Sequence, residues 1–259
     1  AHLDISGLKA GARVAHDEYD KESVADFALW KAWDEGDGDV KWMSPWGEGR
    51  PGWHIECSAM SSRYLGGSFD IHTGGVDNIF PHHENEIAQS EAVSGRQFVR
   101  YWLHCGHLIV EGRKMAKSAG NFYTLRQVLD RGYNGAEVRY VLLSGHYRQQ
   151  LNFTFEACDA ARSAIGRINE FKEALLELAG DQSATIDSPD RAPDWAKRGF
   201  AGFRAGLDDD LNMPEALASL FAMIREGNRE IAAGNLSGTE AVAVLRHMDR
   251  INEVLGLEG

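Results

Sequence analysis

Residues 69–89 read FDIHTGGVDNIFPHHENEIAQ, and the way this stretch divides decides the fold. FDIH is a short apolar run that ends on Gly74 and Gly75, the pattern of a strand entering a turn. Pro81 then opens a helical stretch, since proline suits a first turn where its missing N–H costs nothing. The helix is expected to stop at Gly95. At one turn per 3.6 residues, His82 and Glu86 share one face, and His83 and Ile87 another. Two more strand-like runs follow, YWLH ahead of Cys105-Gly106 and HLIV ahead of Glu111-Gly112. Strand, helix and strand in this order predict an α/β domain from about residue 51 to 123.

Outward from that block the character changes on both sides. Residues 1–50 are polar and turn-rich, with VADFALWKAW as their one good hydrophobic run. Beyond 123 the chain reads as helical. Residues 124–157 hold two short capped helices, TLRQVLDRG with a Thr124 start and Gly132 stop, and NGAEVRYVLLSG with Asn134 and Gly145 in the same roles. Residues 158–259 read as a bundle of three longer helices. The first carries Ala161, Ile165, Ile168, Lys172 and Leu175, broadened by Leu176. The second opens at NMPE, where Asn212 can cap and Glu215 complete a capping box, and buries Leu217, Leu220, Phe221, Ile224 and Ile231. The third runs from about Thr239 to Leu255 on Val244, Met248, Ile251 and Leu255. Between the first two lies GDQSATIDSPDRAPD, a polar linker without the apolar content to pack.

Bulk properties set bounds on function. A net charge of −12 over 259 residues argues against a general nucleic-acid coating surface, while leaving room for a local basic groove. Cys57, Cys105 and Cys158 are too few and too scattered for a disulfide framework, which points to a reducing, cytoplasmic setting. No run of about 18 apolar residues occurs, so no membrane partner is expected.

Three groups of residues carry chemistry. His82 and Glu86 make half a metal site or a solvated helix start; PGWHIECSAM adds Cys57, ahead of an expected helix, and sulfur, nitrogen and oxygen donors together suit Zn²⁺. Cys57 as a small buried hydrophobe is the bland alternative. A metalloprotease HExxH is excluded because Ile87 stands where the second histidine belongs. HTGGVDN, residues 72–78, places paired glycines at a strand end, where a ligand can approach the backbone and Asp77 can accept from ribose hydroxyls, or it is an ordinary turn. EGRKMAKSAGN, residues 111–121, sets Lys114, Lys117 and Ser118 in a glycine-bracketed loop, suited to leaving phosphates or simply solvated.

GWHIECSAM, FDIHTGGVDNIFPHHENEIAQSEA and KMAKSAGNF, in this order, resemble the second half of a cysteinyl-tRNA synthetase, a class I aminoacyl-tRNA synthetase. The likeness continues through SGHYRQQLNFT and LDDDLNMPEALASLF over almost the whole chain. It implies the second half of a Rossmann-like nucleotide-binding domain followed by a helical, tRNA-binding bundle, with residues 1–50 the remnant of a connective insertion. It implies that Cys57, His82 and Glu86 hold one Zn²⁺, which takes the sulfur of the substrate cysteine and so rejects serine. Trp53 corresponds to the tryptophan beside the substrate pocket; His72, Gly74, Gly75 and Asp77 belong to the segment that binds substrate and adenosine. Lys117, with Lys114 and Ser118, corresponds to the KMSKS loop that meets ATP, taken with Mg²⁺. Ala116 replaces the first serine of that loop and leaves both lysines in place.

The implied reaction activates L-cysteine with ATP and transfers it to tRNA(Cys). Residues 1–50 supply neither the HIGH motif nor the fourth zinc ligand of the family, and no anticodon module follows the bundle. The resemblance therefore implies part of a longer protein, inactive in isolation, with a separate polypeptide carrying the first half as a partner. A mycothiol-pathway cysteine ligase and a non-catalytic zinc- or tRNA-binding paralogue are the competing readings. The roles of His83 and Glu84 stay open between support of the metal site and a solvated helix start.

Overall fold

A computed structural model describes residues 26–180 and 191–257. Most of the polar linker, and half of the segment assigned to a connective remnant, lie outside the described residues. The described residues form two compact units, divided between Cys105 and Gly106.

The first unit opens with an antiparallel sheet of β1 (Trp30–Ala32), β2 (Trp42–Ser44) and β3 (Gly47–Pro51), in the order β1-β3-β2. Sequence reading finds only loops here, because the strands are short and polar. Gly49 faces Ala32 in this sheet, and any Cβ on it would collide with the Lys31 carbonyl. Helix α1 (Trp53–Leu65) follows, so Cys57 sits inside a helix and not ahead of one. Strand β4 (Phe69–Gly75) then leads through a wide turn at 79–83, with a cis Phe80–Pro81 peptide, into α2 (Glu84–Ser94).

The regular helix thus starts three residues after Pro81, because Phe80 is extended and the chain must turn before the ladder closes. Gly95 ends it in the left-handed region, its N–H bonded to Glu91 O, as the sequence predicts. Strand β5 (Val99–Cys105) returns parallel to β4, with His72 opposite Trp102 and Gly74 opposite His104. The predicted strand–helix–strand unit is therefore present, with α2 as its crossover.

The second unit begins with β6 (Leu108–Val110) and β7 (Arg113–Lys114), a hairpin, with β8 (Leu151–Phe153) parallel to β6. Helices α3 (Leu125–Asp130) and α4 (Gly135–Ser144) carry full capping boxes from Thr124 and Asn134. Four helices follow: α5 (Phe155–Ala179), α6 (Asp194–Asp208), α7 (Met213–Ala232) and α8 (Gly238–Leu255). Asn212 caps α7 through the Glu215 N–H. The predicted apolar faces of α7 and α8 are at least partly buried, but Leu176 of α5 is exposed, and Phe171 takes the place beside Leu175 in the core.

Helix α6 is the long element that sequence patterning misses. Its DWAKRGFAGFRAGLD carries three glycines, poor helix formers that read as loop. They serve close packing against α7: a Cβ on Gly199 would lie 2.5 Å from Met223 Cβ, and one on Gly206 would lie 2.6 Å from the Ala216 amide nitrogen. Among the described residues no helix is long and apolar enough to cross a membrane.

Candidate functional site

In the first unit, polar side chains dominate the interior. Its buried apolar residues among those described are Phe98 and Val99, whereas His54, Ser58, His82, His83, Asn85, Glu86, Gln89 and Ser90 are all buried. Buried polar groups cost free energy unless paired, so their concentration here marks a built site.

Glu86 is its centre. Helix α2 holds this carboxylate at 0% exposure, one turn beyond His82. Its two oxygens face different partners. Oε2 accepts from His72 Nε2 at 2.9 Å and lies 4.0 Å from His83 Nε2. Oε1 lies 3.7 Å from His82 Nε2 and has no hydrogen-bond partner. The Cys57 thiol, delivered by α1, joins His82 and Glu86 so that one donor atom from each lies within 4.8 Å of the others. The three predicted ligands are therefore brought together, although 25 residues separate Cys57 from His82 in the sequence.

An orphaned, buried carboxylate oxygen beside a thiol and an imidazole fits a metal such as zinc, which accepts S, N and O donors. Protonation states agree with this. Burial, and secondarily His54 and His72, push the His82 imidazole down to about 4, so it is neutral near pH 7 and offers a lone pair. Burial, followed by the charges of Glu86 and Glu56, raises the Cys57 thiol; burial raises Glu86 as well, with His72 opposing it. Both acids thus hold their protons more tightly than usual until a cation reverses the balance.

Around the ligand set runs a histidine network that sequence reading did not assemble. His54 Nδ1 and His82 Nδ1 are 2.8 Å apart. A proton on His82 Nδ1 in that bond leaves Nε2 as the coordinating atom. His83 Nδ1 and His104 Nε2 are likewise 2.8 Å apart, and burial followed by its histidine neighbours drives His83 down to about 4. His83 is therefore an interior residue, not part of a solvated helix start. The signal for His104 lies in the β4–β5 register, which no local pattern reveals.

Trp53 is exposed, with its ring 4.2 Å from that of His82. His72 stacks on Trp102 at 4.8 Å. The paired glycines accommodate neighbours within the chain: a Cβ on Gly74 would lie 2.6 Å from His83 Cε1, and one on Gly75 would strike the Asp77 carboxylate. In the second unit, Lys114 ends β7 and Lys117 opens a single 3₁₀ turn, Lys117–Ala119. Lys114, Lys117 and Ser118 are all exposed, and Lys117 Nζ lies 5.5 Å from the Phe122 ring centroid. Glu111 and Gly112, with φ of 50° and 71°, form the hairpin tip, a turn that requires left-handed backbone at both positions.

Comparison with known proteins bears on the family and the fold. Residues 2–163 match the model of the tRNA synthetases class I (C) catalytic domain, and residues 202–258 match the DALR domain. A Cysteine--tRNA ligase of Chlamydia abortus is 50% identical over 258 residues, which is 99% of this chain and 54% of that protein. One from Brachyspira hyodysenteriae is 50% identical over 257 residues, 98% of this chain and 53% of that protein. The chain thus spans about half the length of the curated relatives it matches. Among solved structures, the LeuRS-tRNA-LeuAMS complex of Agrobacterium radiobacter K84 has a TM-score of 0.62 at 18% identity, covering 85% of this chain and 34% of that one. Methionyl-tRNA synthetase of Mycobacterium tuberculosis bound by methionyl-adenylate has 0.53 at 17%, covering 72% and 41%. These two likenesses speak for the fold alone.

Proposed function

The chain belongs to the class I (C) tRNA synthetase catalytic-domain family, and from that premise we propose that it supplies the amino-acid-selecting half of a cysteine–tRNA ligase. The observation that carries the proposal is the meeting of Cys57, His82 and Glu86 around an unpartnered buried oxygen. These three residues would hold Zn²⁺. Zinc bound there supplies a preference for a deprotonated thiol over a hydroxyl, the distinction between cysteine and serine.

The remaining roles belong to the chain's own residues. His54 orients His82 through its Nδ1, and His72 holds the second oxygen of Glu86, so the donor atoms are fixed before any ligand arrives. Trp53 forms a wall beside His82 for the substrate side chain. Asp77 and the Gly74–Gly75 turn meet the adenosine portion of ATP. Lys114, Lys117 and Ser118 meet its phosphates, where Mg²⁺ accompanies them and ammonium groups offset the charge that grows as pyrophosphate leaves.

Residues 1–50 are assigned to the remnant of a connective insertion, 51–123 to the second half of the nucleotide domain, 124–157 to the stem-contacting segment and 158–259 to the tRNA-binding bundle. L-cysteine, ATP and tRNA(Cys) are the proposed partners, with an N-terminal half completing the site and the cytoplasm as its setting. Calorimetric titration of the zinc-loaded chain with L-cysteine and L-serine tests the reading. Saturable binding of cysteine alone, abolished in Cys57→Ala, is expected; equal response to both amino acids would overturn it.

A further inference from the structure

One buried polar side chain beneath the lysine loop takes no part in the roles assigned above. Asn121 is 3% exposed, at the end of EGRKMAKSAGN. Its Oδ1 accepts the Ala116 N–H at 3.0 Å. Its Nδ2 donates to Val110 O and to Lys114 O, each at 3.1 Å, and lies 3.5 Å from Arg113 O. The orientation of the amide is fixed by these partners, because a flip would set oxygen against three carbonyls.

The partners span the loop's whole base. Val110 belongs to β6, Lys114 to β7, and Ala116 precedes the 3₁₀ turn that begins at Lys117. Gly120, left-handed at φ 66°, turns the chain so that the next side chain enters underneath. One amide therefore closes residues 110–121 into a ring, while Lys114 and Lys117 stay exposed on its outer side. Lysine is a flexible point charge that costs entropy to immobilise. A base fixed in advance lowers that cost, since only the side chain remains to be ordered.

We propose that Asn121 is the positioning residue of this loop: its hydrogen-bond ring sets the spacing and direction from which Lys114 and Lys117 address the phosphates of ATP. The proposal rests on the phosphate reading of the loop; the ring itself does not.

Two readouts on the intact chain separate these claims. The first is amide exchange at Ala116. The second is the concentration of Mg–ATP that shields Lys117 from a limiting amine-acylating reagent, read by peptide mapping. In Asn121→Ala, Ala116 should exchange about tenfold faster, the worth of one lost hydrogen bond. The shielding concentration should rise about as much, while amides of α7 and α8 keep their protection. Asn121→Asp retains the acceptor but not the donors, so it should recover part of the Ala116 protection without recovering the ATP dependence. Asn152→Ala frees only the Gly112 N–H at the hairpin tip and should leave both readouts unchanged.

Unchanged Ala116 exchange in Asn121→Ala would overturn the proposal, as would faster exchange throughout α7 and α8. An opened Ala116 with unaltered ATP shielding would overturn the positioning role. If ATP shields Lys117 in no form of the protein, the phosphate reading fails and positioning fails with it, while Ala116 exchange still reports the ring separately.

Discussion

Replacing Glu86 by glutamine should have opposite consequences in the presence and absence of zinc. Without metal, the carboxylate is wholly buried, and its Oε1 has no hydrogen-bond partner. A buried unsatisfied polar atom costs about 1–3 kcal/mol, more when charged. Glutamine keeps an oxygen to accept from His72 Nε2 and brings an amide donor toward His82 Nε2, so metal-free Glu86→Gln should match the parent or exceed it by about 1 kcal/mol.

With zinc at about one hundred times its dissociation constant, the parent gains about 2.7 kcal/mol by linkage. Glutamine is a poor zinc ligand. A hundredfold loss of affinity leaves the variant with a gain of only about 0.4 kcal/mol at the same concentration. The assay is denaturant unfolding with and without zinc, followed through tryptophan emission, because Trp53 packs against His82 and reports on this unit. Zinc stabilising the variant as much as the parent would refute the assignment of Glu86 as a ligand. So would a metal-free variant weaker by more than about 2 kcal/mol, since that would reveal a structural partner for Oε1.

Further consequences follow from other residues. His54→Ala, which removes the partner of His82 Nδ1, should weaken zinc binding by about 10–100-fold in a chelator competition without changing its stoichiometry. His247, buried in α8 with neither ring nitrogen hydrogen-bonded, is held below the usual imidazole range by burial first and then by Arg250 and Lys197. Its folded value is the lower one, so stability is full above about pH 6.5 and falls as pH drops through that value. His247→Leu should flatten this acid-side slope and gain about 1 kcal/mol at neutral pH, read from denaturant midpoints at two pH values. Gly206→Ala drives a Cβ to 2.6 Å from the backbone of Ala216 and should destabilise the bundle by about 1–3 kcal/mol. Gly166→Ala meets nothing within 4 Å and should stabilise α5 by up to about 1 kcal/mol, a contrast that thermal unfolding will show.

Local chemistry made much of the fold legible. Thr124, Asn134 and Asn212 cap the helices that their side chains announce, and Gly95 ends α2 in the conformation only glycine adopts freely. The grouping of Cys57, His82 and Glu86 is implied by likeness to a family, because periodicity alone pairs only His82 with Glu86. What escaped depends on contacts distant in sequence. The glycines of α6 look like loop until Met223 and Ala216 are placed beside them. His104 reaches the site only through the pairing of β5 with β4, and Cys57 reads as a helix flank until α1 is seen to start at Trp53. The strands around Gly49 are too short to leave a two-residue rhythm.

The polar interior of the first unit has a thermodynamic corollary. Exposure of apolar surface raises the heat capacity on unfolding, whereas exposure of polar surface lowers it. A unit whose described buried side chains are chiefly imidazoles, amides and one carboxylate should unfold with a small heat-capacity increment for its size. Its stability curve is then shallow, changing little between cold and warm conditions. The second unit, with its continuous cluster of Leu, Phe, Val and Met, has the steeper dome of an oil-like core. The surroundings of Cys57, His82 and Glu86 would therefore vary less with temperature than the bundle.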